Sequence, residues 1–227
     1  ESVGFDIARG GGVSLTGGVF GLGVTRRVVS EPGEWYSCGY ARIGPNSVLQ
    51  LVPVLDETLG SGERERLLRL CGLDTLPGDD GLMDEQPAAA LHQALRAEHP
   101  AVAAMMTRQA GERTGDYIIR HRIPVAAMQV MTRLPSWLAG PLLARVIEKH
   151  AWTFAGSGRF RIVRRHPLAF ELHDNPVVRG EHAAAPICHW HAAVFERLFS
   201  HIVDPDLRCV ETQCCATGAA SCRFEIR

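Results

Sequence analysis

The chain closes on 209-CVETQCCATGAASCRFEIR-227, and the reading of these residues decides how it folds. "DLRCVET" and "SCRFEIR" read as two strands joined by a turn, because apolar and polar residues alternate and Gly218 favours a reversal between them. Four of the seven cysteines fall within these 19 residues, with Glu211 among them. Thiols this dense fit four arrangements: a disulfide staple, a redox couple, a metal cage, or small apolar residues packed in a core. Seven is an odd number, and no basic-then-apolar secretory segment opens the chain. A reducing compartment is therefore expected, where thiols stay free or bind metal.

Parity limits which of these residues can meet. On a strand, Cys209 and Glu211 share a face, while Cys214 has the other parity. Glu211 and Cys214 converge only if the strand ends or bulges near Thr212 or Gln213. Zn²⁺ takes four tetrahedral ligands from thiolate, imidazole or carboxylate, and thiolates also suit Fe–S chemistry. Three local donors and one from the preceding helix can close such a shell. There is no C-x-x-C pair, and a free buried cysteine packs like a small apolar residue. From spacing alone the metal, inert and redox readings all stay open.

Working outward, "AAPICHWHAAVFERLFSHIV" reads as a helix, with Ile187, Trp190, Val194, Leu198 and Ile202 at helical spacing. Before it, "GRFRIVRRH" and "LAFELHD" alternate and read as a hairpin. "GPLLARVIEKHAWTF" reads as a strongly amphipathic helix, whose surface faces a membrane, a dimer mate or, by default, the core. Pro124 and Pro135 punctuate the segment ahead of it. A helix from Pro100 to about Arg122 places Val102, Met105, Met106, Ala110, Tyr117 and Ile118 on one side. Another covers about Ala88 to Glu98, after the acidic loop "LDTLPGDDGLMDEQP". "SGERERLLRLCG" is a short helix ending at Gly72. "NSVLQLVPVLDETLG" puts Val48, Leu51, Val52, Leu55 and Leu59 on one face, with Asn46 or Ser47 as N-cap and Pro53 marking a kink or a first turn. Helices, a hairpin, a helix and a hairpin imply an α+β domain, an antiparallel sheet packed by helices.

Residues 1–33 hold nine glycines but neither G-x-G-x-x-G nor G-x-x-x-x-G-K-[ST], so they read as an arm rather than a phosphate loop. The domain proper is assigned to residues 34–227. Hydrophobic residues make up 46% of the chain, enough for a core, and the net charge of −1 excludes a nucleic-acid binder that relies on a general basic field. No run is long and apolar enough to span a bilayer.

The spacing C-x22-E-x2-C-x7-C, as Cys188, Glu211, Cys214 and Cys222, resembles the zinc site of 4-vinyl-reductase (4VR) domains, including those that sense phenols in transcription activators. The resemblance selects Glu211 over Cys209 and leaves Cys209 and Cys215 as non-ligands. A shell of four protein ligands would be structural and would pin the last helix to the final hairpin. "RIGPNSVLQLVPVLDETLG", "HAWTFAGSGRF", "NPVVRGE" and "CHWHAAVFERLF" are similar to the bacteriochlorophyll-biosynthesis branch of that family, over about Ala41 to Arg227. That likeness implies a fold shared with subunits of a vesicle-tethering (TRAPP) complex, and a homodimer.

The branch is named for reduction of a vinyl group on a chlorophyll precursor. Reducing a C=C bond needs a hydride or electron donor, and the sequence carries no dinucleotide fingerprint. Zinc has no redox chemistry. The expectation is therefore an accessory protein that binds a Mg-tetrapyrrole of protochlorophyllide type and presents it to the pathway's enzymes. A vinyl reductase and a small-aromatic sensor are the alternatives. Such a protein is expected in the cytoplasm or peripheral to the photosynthetic membrane. A Mg-porphyrin needs an apolar slot, an axial donor and partners for its carboxylates. Trp152, Phe154 and Trp190 are candidate walls, and His121, His150, His189 and His191 candidate axial donors. Because Trp190 lies on the apolar face, at least one of His189 and His191 should point away from the core. Arg159, Arg161, Arg164 and Arg165 form a basic strand, read either as a solvated face or as a grip for carboxylates, with Arg161 the candidate contact.

Overall fold

The computed structural model describes residues 41–227. The Gly-rich arm, the boundary at residue 34 and Trp35 lie outside the described residues.

The elements run β1 (Arg42–Ile43), α1 (Asn46–Leu49), α2 (Val52–Leu59), α3 (Ser61–Leu70), β2 (Met83–Asp84), α4 (Glu85–Glu98), α5 (Pro100–His121), α6 (Val125–Met131), α7 (Ser136–Lys149) and α8 (Trp152–Ala155). They continue with β3 (Arg159–Arg165), β4 (Leu168–His173), α9 (His189–Ile202), β5 (Cys209–Gln213) and β6 (Cys222–Ile226). β1 and β2 form a small antiparallel pair, and the other four strands form an antiparallel sheet in the order β3-β4-β6-β5. The architecture is α+β, and both hairpins fall where alternation places them.

The helix α9 is buried almost all round, which requires neighbours on both sides. Its Phe195 and Phe199 pack on the sheet, where Phe170 of β4 stands opposite Phe224 of β6. Each such ring adds about 1.5–3 kcal/mol by leaving water. The opposite side of α9 meets α5 at very close range. A Cβ on Gly111 would collide with the Trp190 carbonyl oxygen, and one on Gly115 would sit 2.6 Å from Arg197 Cβ. Trp190 Nε1 donates to Thr114 Oγ1 at 3.2 Å across the same seam.

That proximity corrects the expected face of α5. Its buried residues are Ala103, Met106, Thr107, Ala110, Gly111, Thr114 and Gly115, while Met105 is exposed. Small side chains line the seam because the backbones nearly touch. Three further differences have local causes. α4 starts at Glu85, because Asp84 accepts the Gln86 N–H at 3.0 Å and Pro87 is tolerated in a first turn. The segment 46–59 divides into α1 and α2, with Pro53 in the first turn of α2 and Pro45, rather than Asn46 or Ser47, at the α1 cap position; Val54, not Val52, is buried. α9 begins at His189 rather than near Ala184, with Cys188 at its cap position.

Candidate metal centre

Four elements deliver one donor each. Cys188 caps α9, Glu211 lies in β5, Cys214 follows β5, and Cys222 opens β6. The parity obstacle is removed by a bulge. The β5–β6 register runs Glu211↔Phe224 and then Gln213↔Arg223, so one extra residue turns Cys214 toward Glu211. A 3-10 turn over Cys215–Thr217 and a left-handed Gly218, φ +87°, return the chain to Cys222.

One donor atom from each of the four residues lies within 4.8 Å of the others. The Sγ–Sγ separations are 3.4 Å for Cys188–Cys222, 3.8 Å for Cys188–Cys214 and 3.9 Å for Cys214–Cys222. A tetrahedral shell with Zn–S bonds of about 2.3 Å places its sulfurs ~3.8 Å apart. A disulfide would need about 2.05 Å. Glu211 Oε2 accepts the Cys188 backbone N–H at 2.7 Å, while Oε1 is buried without a hydrogen-bond partner among the described residues. A buried carboxylate oxygen left unpaired is costly, and a cation at the centre would satisfy it.

The electrostatics point the same way. Burial pushes the Cys188 thiol well up. Burial, reinforced by the neighbouring Cys214, pushes Glu211 up to about 8. Hydrogen bonds from Cys188 and Cys222 hold the Cys214 thiol far below its ordinary value. Without a cation, this space accommodates one anion rather than four. A divalent cation is the group that lets several of these ligands ionise together. The donor set, three sulfurs and one carboxylate with no open position, fits a structural Zn²⁺ site.

Two supports escaped the sequence reading. Asn175 is buried and its Nδ2 faces Cys188 Sγ at 3.3 Å and Cys222 Sγ at 3.6 Å. Its Oδ1 accepts the Val177 N–H, as the Asn-Pro turn signal in "HDNPVV" could have suggested. The Cys215 backbone N–H points at Cys222 Sγ, 3.4 Å away, so this residue serves the cluster through its main chain. Cys209 is buried outside the four-donor group. A second grouping of Glu63, Glu98 and His99 already holds a cation, the guanidinium of Arg66.

The other candidate residues are not gathered into one slot. Trp152 is exposed, as is His150, whose Nδ1 bonds the Val146 carbonyl at 2.8 Å. Phe154 packs edge-on against Phe160 and Phe195. His191 is buried beside it, held neutral by burial with its value down to about 4. Trp190 is in the core. His121 stacks at a tilt on Tyr117, and Arg161 is exposed. On β3, Arg159 pairs with Asp174 and Arg164 with Glu225.

His189 has a different setting. It is half-buried, points away from the core that holds His191, and has no hydrogen-bond partner for its ring among the described residues. It lines a groove of about 350 Å³ with Pro100, Ala103, Ala104, Ala183 and Ile187. Arg96 stands at the groove edge, fixed by Glu181 and by the Val177 carbonyl. Alanines keep the floor low and apolar.

Residues 168–227 match the 4-vinyl-reductase (4VR) domain, a span that contains three of the four clustered donors beyond Cys188 and Cys188 itself. Over 185 residues, 82% of this chain and 90% of the relative, the sequence is 50% identical to the bacteriochlorophyll synthase 23 kDa chain of Cereibacter sphaeroides. It is 46% identical over 183 residues to the protein of the same name from Rhodobacter capsulatus, covering 81% of this chain and 85% of that one. Among solved structures, an H-NOX protein from S. oneidensis aligns with a TM-score of 0.53 at 11% identity, over 82% of this chain and 98% of its own. An H-NOX protein from K. algicida aligns with a TM-score of 0.55 at 10% identity, over 82% and 96%. These two show likeness of fold.

Proposed function

Since the chain belongs to the family of the bacteriochlorophyll synthase 23 kDa chain, with a role in bacteriochlorophyll biosynthesis, we propose that it binds a Mg-tetrapyrrole intermediate and presents it to the enzymes of the pathway. The observation that carries this reading is the groove at His189. An unpartnered imidazole beside an alanine floor offers an axial donor to a metal at the centre of a flat apolar ring. At about 350 Å³ the groove lies at the small end of ligand sites, so it would hold part of a macrocycle and leave the rest open. A protein that hands its ligand onward needs that partial grip.

In this reading the metal centre is a structural zinc site held by Cys188, Glu211, Cys214 and Cys222. Zinc there would lock Cys188, and with it the first turn of α9 that carries His189. Reduction of a vinyl group would require a donor, for which the sequence has no dinucleotide motif. Titrating the zinc-loaded chain with a Mg-porphyrin tests the reading. The Soret band should shift, and His189→Leu should abolish the shift while His150→Leu keeps it. No shift at saturating pigment overturns the carrier. Turnover of a divinyl pigment on adding a nicotinamide donor would install the reductase instead.

A further inference from the structure

The segment from α6 to α8 leaves large apolar side chains in water. Val125 is 73% exposed, Trp137 69%, Val130 59% and Trp152 53%. Along α7, Leu138, Leu142 and Val146 recur every fourth residue on the outer side, while Ala139, Leu143, Ala144 and Ile147 face inward. The sequence of α6, VAAMQVM, has no charge at all. Scattered exposed apolar residues need no explanation, but a stripe that runs through consecutive elements does.

Charge identifies what covers it. Between Tyr117 and Phe170 the chain carries nine Lys and Arg residues and a single acid, Glu148, although the whole chain has a net charge of −1. Glu148 is already engaged, accepting the Ile162 N–H at 3.1 Å. Arg133, Arg145, Lys149, Arg161 and Arg165 have no acidic partner among the described residues. Arg145 and Lys149 flank Leu142 and Val146 on α7, and Arg165 of β3 lines the same small cleft as Arg145. Exposed tryptophans and aliphatics ringed by unpaired cations make the surface that inserts shallowly among anionic headgroups. A second copy of the chain would instead set these cations against each other. No helix among the described residues is long and apolar enough to cross a membrane, so contact would be lateral.

We propose that the outer face of α6–α7, with Trp137 and Trp152, docks on an anionic lipid bilayer. The proposal does not depend on pigment binding. The full chain is sedimented with phosphatidylcholine vesicles, with and without phosphatidylglycerol, at low and high salt. Binding should require phosphatidylglycerol and weaken with salt. Trp137→Glu should lower partitioning on the order of tenfold, and so should the pair Arg145→Glu and Lys149→Glu, with near-UV circular dichroism unchanged. Absence of binding to phosphatidylglycerol vesicles overturns the proposal. So does binding that both sets of substitutions leave intact. A concentration-dependent dimer that Trp137→Glu dissociates, without vesicle binding, assigns the face to self-association instead.

Discussion

Glu211 Oε2 accepts the backbone N–H of Cys188 across 2.7 Å, joining β5 to the first turn of α9. The two residues are 23 positions apart, and the contact closes the cluster on the side where no sulfur stands. Glu211→Ala removes an acceptor and a ligand together, and should lower stability by at least about 1–3 kcal/mol from the stranded N–H alone. Glu211→Gln retains an acceptor and should lose less. Urea unfolding of both variants, with and without zinc, measures the difference.

Metal content separates the four donors from the other cysteines. Cys188→Ser, Cys214→Ser or Cys222→Ser should strip the single zinc that elemental analysis finds per chain, and chelator should lower the thermal midpoint of the unmodified protein. Cys209→Ser should leave the zinc in place. Asn175→Ala, which removes a contact to two of the sulfurs, should weaken zinc binding about 10–100-fold in a competition titration. Unmodified protein that folds free of zinc and other metals would refute the assignment.

The α5–α9 seam tolerates no added volume. Gly111→Val places atoms against the Trp190 carbonyl and the Ala193 side chain, and should destabilise by ~1–3 kcal/mol or more. Gly140 is a control inside α7, because a Cβ there meets nothing within 4 Å. Gly140→Ala should be neutral or stabilise by about 0.5–1 kcal/mol. Chemical denaturation of the two variants gives the contrast.

Acid should weaken the fold through His92. This ring is buried with Nε2 against the Ser47 carbonyl at 2.9 Å, and burial drives its value down to about 3. An unfolded histidine titrates near 6.5, so between about 6.5 and 3 the unfolded chain binds the extra proton. The stability is complete above 6.5 and declines as pH falls, by up to about 1.4 kcal/mol per pH unit. His92→Leu should cost stability at neutral pH, because the Ser47 carbonyl loses its partner, yet show a shallower decline from about pH 6.5 to 5. Equal slopes for the two proteins would show that His92 is not the group responsible.

Much of this was legible in the chain. Alternation in "GRFRIVRR", "LAFELH" and "SCRFEIR" located the long strands, because a strand half-buried in a sheet must repeat every second residue. The helical stripe of α9 was equally plain, although its first residue was not, since Ala184–Cys188 can join a helix locally and do not. The stripe of α5 misled. Large apolar residues such as Met105 suggest the inner face of an isolated helix, but the real inner face was chosen by how near α9 comes, and that distance favours glycine.

The metal centre divides in the same way. By itself the sequence determined the four donors through the spacing it shares with a family, and the requirement that β5 bulge for Glu211 and Cys214 to meet. Both are local matters of spacing and strand parity. Only the tertiary structure decided that Asn175 and the Cys215 N–H support the sulfurs, that His191 is sealed in the core while His189 opens on a groove, and that the apolar side of α6–α7 faces outward. Those outcomes depend on which elements pack together, and packing between distant segments is set by whole surfaces rather than by any short run of residues.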